Sequence, residues 1–208
     1  MEKEITQNIP LHQHRDDEAS KMGMWLFLFT ELLLFGGLFL VYSIYRYMNP
    51  DAFAAASLEL NTFIGILNTV ALITSSLTVA LSITAISRNH KKTAIFFIAL
   101  TIVFALYFLI NKYFEYQHKI DIGLFPGGDY FLTLPPGEQL FNLLYFFMTA
   151  LHGLHVLIGG VFLGFIIVYI KKGRVTHDNY AIHENAGLYW HLVDLIWIFL
   201  FPLLYLIH

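Results

Sequence analysis

Five long apolar stretches separated by short polar connections constrain the fold of this chain more than any other feature. A helix needs about 20 residues to cross a hydrocarbon core of about 30 Å, and each stretch exceeds that length. The stretches lack the strict alternation of barrel strands, which are the other structure that can span lipid. The sequence therefore predicts an all-α fold, a polytopic transmembrane bundle of five helices. The predicted spans lie near residues 22–47, 61–87, 93–116, 139–170 and 183–207.

Composition separates the chain into a polar beginning and one membrane domain. Hydrophobic residues make up 57% of the chain and charged residues 13%, which is too apolar for an ordinary water-exposed surface. Residues 1–21 carry both signs of charge and do not resemble the basic start of a signal peptide. We predict a cytoplasmic polar tail at 1–21 and a five-helix membrane domain at 22–208. The chain has no cysteine, which excludes disulfides and thiolate metal sites.

The basic residues on the two sides of the predicted bundle predict an orientation. Nine Lys and Arg residues lie on the side shared by the tail and the second and fourth connections. Three lie on the other side: Arg46, Lys112 and Lys119. Basic residues accumulate on the cytoplasmic face, so we predict a cytoplasmic N-terminus and a C-terminus, at His208, on the outer face. Tyrosines near the outer ends of two spans fit an interfacial aromatic belt; they are Tyr42, Tyr45, Tyr47, Tyr113 and Tyr116.

Several ionisable residues lie within the predicted spans, where each costs on the order of 2.5 to 3.5 kcal/mol unless it faces protein or water. Residues three or seven apart share a helix face, so the groups of the fourth and fifth spans each form a stripe. We expect the groups near mid-membrane to form one buried polar layer. The expected layer contains Glu31 of the first span, His152 and His155 of the fourth, and His191 and Asp194 of the fifth; Glu184 lies on the same stripe of the fifth span.

Three interpretations of this layer remain open from the residues alone. The groups could hydrogen-bond between helices and fix their packing. Some could line a cleft that is accessible to lipid or to protons. The histidines could instead ligate a haem or a metal, as in a membrane electron-transfer protein, although the spacing of His152 and His155 is not the H-E-x-x-H arrangement of a zinc site. A transporter that uses Glu31 and Asp194 as carriers would usually show paired broken helices, and the sequence shows no such pair.

Five segments in the same order resemble cytochrome c oxidase subunit III, a family of the haem-copper oxidases. FFMTALHGLHVLIGG is similar to that family's T-G-x-H-G-x-H-V-x-x-G signature, and ENAGLYWHLVDLIWIFLFPLLY resembles its closing helix. GMWLFLFTELLLFGGLF resembles its glutamate-bearing helix, LNTVALITSSLTVALS its second conserved helix, and Glu115-Tyr116 its short E-Y. The family's mitochondrial-type members have seven helices, so the resemblance is to its five-helix bacterial forms.

The resemblance implies a subunit that carries no haem or copper of its own. Such a subunit packs against oxidase subunits I and II, which hold the haem and copper, binds phospholipid in a cleft, and supports proton uptake during aerobic electron transport. It implies a multi-pass protein of the bacterial inner membrane and no nucleic-acid partner. The site residues it implies are Glu31, Trp25, Glu115, His152, His155, Glu184, Trp190, His191 and Asp194.

The electron donor of the complex stays open at this point. Tyr189, Trp190, His191 and Glu31 favour the branch that oxidises cytochrome c. Five-helix forms also occur in quinol oxidases and in proteins associated with nitric oxide reductase. Membership of a respiratory supercomplex is equally open.

Overall fold

The computed structural model describes the backbone of residues 11–207 and the side chains of residues 19–207, and this part of the chain is helical with short connections. Five of its helices are long and apolar enough to cross a membrane, which confirms the predicted all-α bundle of five. The helices are α1 (Leu11–Met48), α2 (Pro50–Ser57), α3 (Thr62–Ser87), α4 (Lys91–Asp121), α5 (Asp129–Thr133), α6 (Pro136–Lys171) and α7 (Ala181–Tyr205).

The predicted polar tail overlaps α1. Residues 1–10 lie outside the described residues, as does His208, whereas residues 11–21 belong to α1. The part of α1 that can span a membrane is Ala19–Met48, which begins three residues before the predicted span. The helix therefore continues from the apolar stretch into the polar segment without a break.

The longest connection is more ordered than its turn-forming residues alone indicate. Helix α4 continues to Asp121 and ends in a Schellman motif, in which the Leu124 amide donates to the Lys119 carbonyl at 2.9 Å. Gly123 adopts the left-handed conformation at φ 78°, which this motif requires and glycine accepts without strain. Pro136 then starts α6, at a position where its missing amide hydrogen would be unpaired anyway.

Four of the long helices pack in a ring, which we call the four-helix core: α3 contacts α4 and α7, and α6 contacts α4 and α7. The helices approach closely where glycine meets an aromatic ring. A Cβ on Gly159 of α6 would lie 2.8 Å from the indole of Trp190, and one on Gly65 of α3 would lie 2.6 Å from Phe201. Small residues at such crossings allow the helix backbones to come together.

Helix α1 lies outside the four-helix core, against α6 and α7, and α2 packs on α6. Only 11% of the residues in the most apolar window of α1 are buried, compared with 50% in that of α7. Tyr42 is an exception, because its side chain is fully buried and its hydroxyl donates to the backbone carbonyl of Leu203 in α7. Its assignment to an interfacial belt is therefore wrong. Tyr116 is also turned inward, and its hydroxyl lies 2.5 Å from that of Thr149.

Candidate functional site

Glu31 and His155 form a polar pair between α1 and α6. Glu31 Oε2 lies 2.9 Å from His155 Nε2, and the two side chains are only 15% and 12% exposed. His155 Nδ1 lies 2.7 Å from the carbonyl of Leu151, which can only accept, so Nδ1 carries a hydrogen and donates it. The contact between Nε2 and the carboxyl then holds one proton, which either partner can carry. Glu31 and His155 are therefore a half-buried pair joined by a hydrogen bond.

The pair borders an apolar groove of about 460 Å³ between α1, α6 and α7. Tyr189 from α7 closes one side, where its hydroxyl donates to the His155 carbonyl at 3.2 Å. The ring of Phe35 packs edge-on against the imidazole, with centroids 5.4 Å apart. The pair thus presents one polar contact within a largely hydrocarbon wall. The groove is lined by Met24, Phe27, Glu31, His155, Ile158, Phe162, Ala186 and Tyr189.

A second polar cluster joins α3 to α7. The indole of Trp190 donates to Ser75 Oγ at 3.0 Å, and Ser75 Oγ lies 3.3 Å from the buried carboxyl of Asp194. Ser76 Oγ lies 2.6 Å from Nδ1 of His191. The other carboxyl oxygen of Asp194, Oδ1, meets no hydrogen-bond partner among the described side chains. These contacts tie the two helices together, as polar groups between membrane helices commonly do.

His152 has a different environment from His155, although the two residues are three apart on α6. Its ring is fully buried between Phe108 and Trp197, with centroid distances of 5.4 and 5.3 Å. Within the described part of the chain neither ring nitrogen has a hydrogen-bond partner. Two positions three apart differ by about 60° around a helix, which is enough to turn one histidine toward α1 and the other into the four-helix core.

The polar groups expected to form one layer do not join into one hydrogen-bonded cluster. Glu31 and His155 lie beside the groove at α1, His191 and Asp194 bond to α3, and His152 lies among aromatic rings. His152 and His155, which were expected to share one face of α6, meet different neighbours. The sequence does not specify how far each helix is rotated toward its neighbours.

A third cluster, which sequence reasoning missed, surrounds Lys112 in α4. Its ammonium donates to Glu115 at 3.0 Å and to the hydroxyl of Tyr205 at 2.5 Å. The hydroxyls of Tyr145 and Tyr205 both donate to Glu115 Oε1, at 2.7 and 2.6 Å. The carboxylate thus accepts three hydrogen bonds from buried groups. Of these residues the resemblance indicates only Glu115, whereas Lys112 is counted from the sequence only as one of three basic residues on the outer side.

One signal in the sequence could have located this cluster. Lys112 and Glu115 are three apart, a spacing at which opposite charges pair on one helix face. The tyrosines carry no comparable signal, because they come from α6 and α7 and meet the pair only through the fold. Lys119, about two turns after Lys112 on α4, is also buried, with 2% of its surface exposed.

The remaining predicted site residues lie near the surface. Glu184 pairs with Lys21 at 2.9 Å, and the two side chains are 32% and 49% exposed. Trp25 is 62% exposed and lines a second apolar groove between α1 and α7 together with His191. In the part of the chain that the structure describes, no group of three or more His, Asp or Glu side chains could hold a metal ion.

Comparison with known proteins decides the family. Residues 4–208 match the sequence model of cytochrome c oxidase subunit III. The chain belongs to that family. It is thus subunit III of a haem-copper oxidase complex and a multi-pass membrane protein, which confirms the recognition made from the motifs.

Individual relatives extend over nearly the whole chain. Cytochrome c oxidase subunit 3 of Thermostichus vulcanus is 32% identical, over 94% of this chain and 91% of its own length. The protein of that name from Alkalihalophilus pseudofirmus is 29% identical, over 98% and 95%. The one from Rhipicephalus sanguineus is 32% identical over 93% of this chain but only 73% of its own length, as expected when a shorter form is compared with a longer one.

Proposed function

We propose that this chain is a non-redox accessory subunit of a terminal oxidase, which packs on subunits I and II, holds phospholipid and supports proton uptake. Within a member of this family, the observation that carries the proposal is the hydrogen-bonded Glu31–His155 pair at the wall of an apolar groove. A pair that holds one proton can pass it on without separating charge in the membrane, which is costly.

The groove suits a lipid tail because its wall is largely aliphatic and aromatic. Apolar clefts with one or a few polar groups are the usual form of a small-ligand site. A lipid there would bridge α1 and the four-helix core and would exclude water from the pair. We propose Glu31, His155 and Tyr189 as residues that line this groove, and Trp25 as a residue that lines the second apolar groove between α1 and α7. We propose His191, Asp194, Trp190, His152 and Glu115 as residues that fix helix packing.

We further propose that the chain lies in a bacterial plasma membrane with its N-terminus cytoplasmic. Of the three basic residues counted on the outer side, Lys112 is buried in α4 and paired with Glu115. Without it, the excess of basic residues on the other side becomes larger.

The complex is tested by affinity purification of the tagged chain in mild detergent, followed by an optical spectrum and mass spectrometry of its partners. Co-purification of haem-copper subunits I and II, with oxidation of reduced cytochrome c, is the expected result. Oxidation of quinol instead would place the complex in the quinol oxidase branch. Haem absorbance from this chain alone would overturn the proposal in favour of an electron-transfer protein.

The role of the groove is tested in the purified complex with Glu31→Gln. We expect a few-fold fall in turnover and in bound lipid, because the glutamine cannot hold the proton of the pair, with the subunits still assembled. Asp178→Asn is the matched control, since Asp178 is a 79% exposed acid in the connection before α7. Equal turnover in the two variants would contradict a role for the pair in proton uptake.

A further inference from the structure

Lys119 is a buried cation whose bonding within the chain is incomplete. Its ammonium lies 3.4 Å from Asn142 Oδ1 and 3.9 Å from the carboxyl of Glu59, and its side chain is 3% exposed. The ring of Tyr145 lies 5.1 Å away. An ammonium offers three donors, so one long hydrogen bond and one wide ion pair leave much of its capacity unused. Lys112 in the same helix, by contrast, has contacts at 2.5 and 3.0 Å.

Lys119 borders a groove that is separate from the one at Glu31. This third groove, which we call the Lys119 groove, has a volume of about 510 Å³ and lies between the end of α4 and the start of α3. Its wall combines polar side chains with an apolar strip formed by Leu60, Ile64 and Phe114. The polar residues that line it are Glu59, Asn61, Asn111, Glu115, His118 and Lys119.

The groove lies at the height of lipid headgroups. Lys119 follows Thr93 by 26 residues of α4, which corresponds to about 39 Å at 1.5 Å per residue. The hydrocarbon core is about 30 Å thick, and the bilayer with its headgroups about 40 to 45 Å. With the predicted start of the span at Thr93 taken as one edge of the hydrocarbon core, Lys119 lies beyond the opposite edge, and Phe114 is one to two turns closer to the core.

We propose that this groove binds phosphatidylethanolamine from the leaflet on the side of α2. The lipid phosphate accepts hydrogen bonds from Lys119, and the primary ammonium donates to the 37% exposed carboxyl of Glu59. The 3.9 Å separation of Lys119 from Glu59 leaves both groups able to bond to such a zwitterion. The acyl chains lie along Leu60, Ile64 and Phe114.

The charges of the groove favour this lipid over others. Phosphatidylglycerol offers a phosphate but no ammonium for Glu59, and the quaternary ammonium of phosphatidylcholine has no N–H to donate. Glu115 also borders the groove, but its oxygens already accept from Lys112, Tyr145 and Tyr205. Glu59 is thus the carboxylate available to the headgroup, and the inference does not depend on the groove at Glu31.

The test is native mass spectrometry of the purified, partly delipidated oxidase, titrated with phosphatidylethanolamine, phosphatidylglycerol, phosphatidylcholine or inorganic phosphate. The wild type is expected to retain one additional, tightly bound molecule of phosphatidylethanolamine compared with Lys119→Met. The variant should bind that lipid about tenfold more weakly, which is the factor typical of one charge-assisted hydrogen bond. Lys92→Met, an exposed lysine at the other end of α4, should match the wild type.

Glu59→Gln provides a second readout if Lys119→Met fails to assemble. It should retain lipid but lose the preference for phosphatidylethanolamine over phosphatidylglycerol. Equal retention in the Lys119 and Lys92 variants, or an unchanged preference in Glu59→Gln, would overturn the proposal. Displacement of the lipid by inorganic phosphate at equal concentration would instead assign the site to a free anion. Glu31→Gln should leave this lipid bound, which separates a failure here from a failure of the proposed groove at Glu31.

Discussion

The four-helix core and α1 are held in place by different means. In the core, half of the most apolar window of α7 is buried, glycine crossings bring α6 against α7, and an ion pair with three hydrogen bonds is enclosed among tyrosines. Helix α1 buries 11% of its corresponding window. It is attached through separate polar contacts along its length, from Ser20 with Asn185, through Glu31 with His155, to Tyr42 with Leu203.

This difference indicates which helix can move more easily against the rest of the bundle. Close packing fixes the core because a small shift of one helix displaces many contacts at once. Single hydrogen bonds orient α1 against its neighbours, but each contributes only about 0.5 to 1.5 kcal/mol to stability. The exposed apolar face of α1 must then be covered by lipid or by partner subunits. We expect lipid exchange and proton transfer to occur at α1 and the core to act as its support.

The largest effect is expected from Lys112→Met, which breaks the enclosed ion pair of the core. Removing one partner leaves Glu115 buried without its cation, which typically costs about 3 to 5 kcal/mol. The free energy of unfolding of the full chain, measured by denaturant titration in mixed micelles, should fall by this order.

The double variant Lys112→Met with Glu115→Gln is the control for this prediction. It removes both charges and keeps a side chain that can accept from the tyrosines, so it should recover part of the loss. If the double variant is as unstable as the single one, then lost packing rather than an unpaired charge is responsible. An unchanged stability of the single variant would show that the pair does not support the core.

An intermediate effect is expected from Gly159→Ala at the crossing of α6 and α7. The added methyl would lie 2.8 Å from Trp190 and 3.1 Å from Tyr189, two rings that are buried and cannot move aside. Overpacking of this kind costs about 1 to 3 kcal/mol. Gly160→Ala is the matched control, since nothing lies within 4 Å of a methyl there. Equal unfolding free energies for the two variants would contradict the close packing assigned to the core.

The sequence predicted the five spans because length and apolarity alone determine which segments can cross lipid. It also placed Glu31, His155 and Asp194 among the polar groups of the bundle. It could not pair them, because pairing depends on how each helix is rotated, and a rotation of about 60° decides whether His152 or His155 meets Glu31. The family resemblance supplied the site residues but not their partners.

Two positions show how a local interpretation fails. Lys112 is counted from the sequence only as a basic residue on the outer side, whereas the fold provides Glu115 and two tyrosines around its ammonium. Tyr42 was placed in an aromatic belt because of its position near a helix end. Its hydroxyl instead bonds to a carbonyl 161 positions further along the chain, a contact that no local pattern can indicate.

The smallest effect is expected from Tyr42→Phe, which tests the attachment of α1 rather than the core. The carbonyl of Leu203 is one of the last four of α7, which have no partner within the helix, so the tyrosine hydroxyl caps it. Losing this bond should cost about 1 kcal/mol. Because the ring of Tyr42 still packs on Phe53, at a centroid distance of 5.4 Å, α1 should remain in place.

Hydrogen exchange is the measurement that separates this local loosening from loss of the core. In Tyr42→Phe, amide exchange should rise at the end of α7 and in the second half of α1, while the amides of α3 and α4 keep their protection. Tyr45→Phe is the control, since Tyr45 is 39% exposed on the same helix and should leave exchange unchanged. A rise in exchange across α3 and α4 as well would mean that α1 and the core unfold as one unit, and the distinction drawn between them would then be wrong.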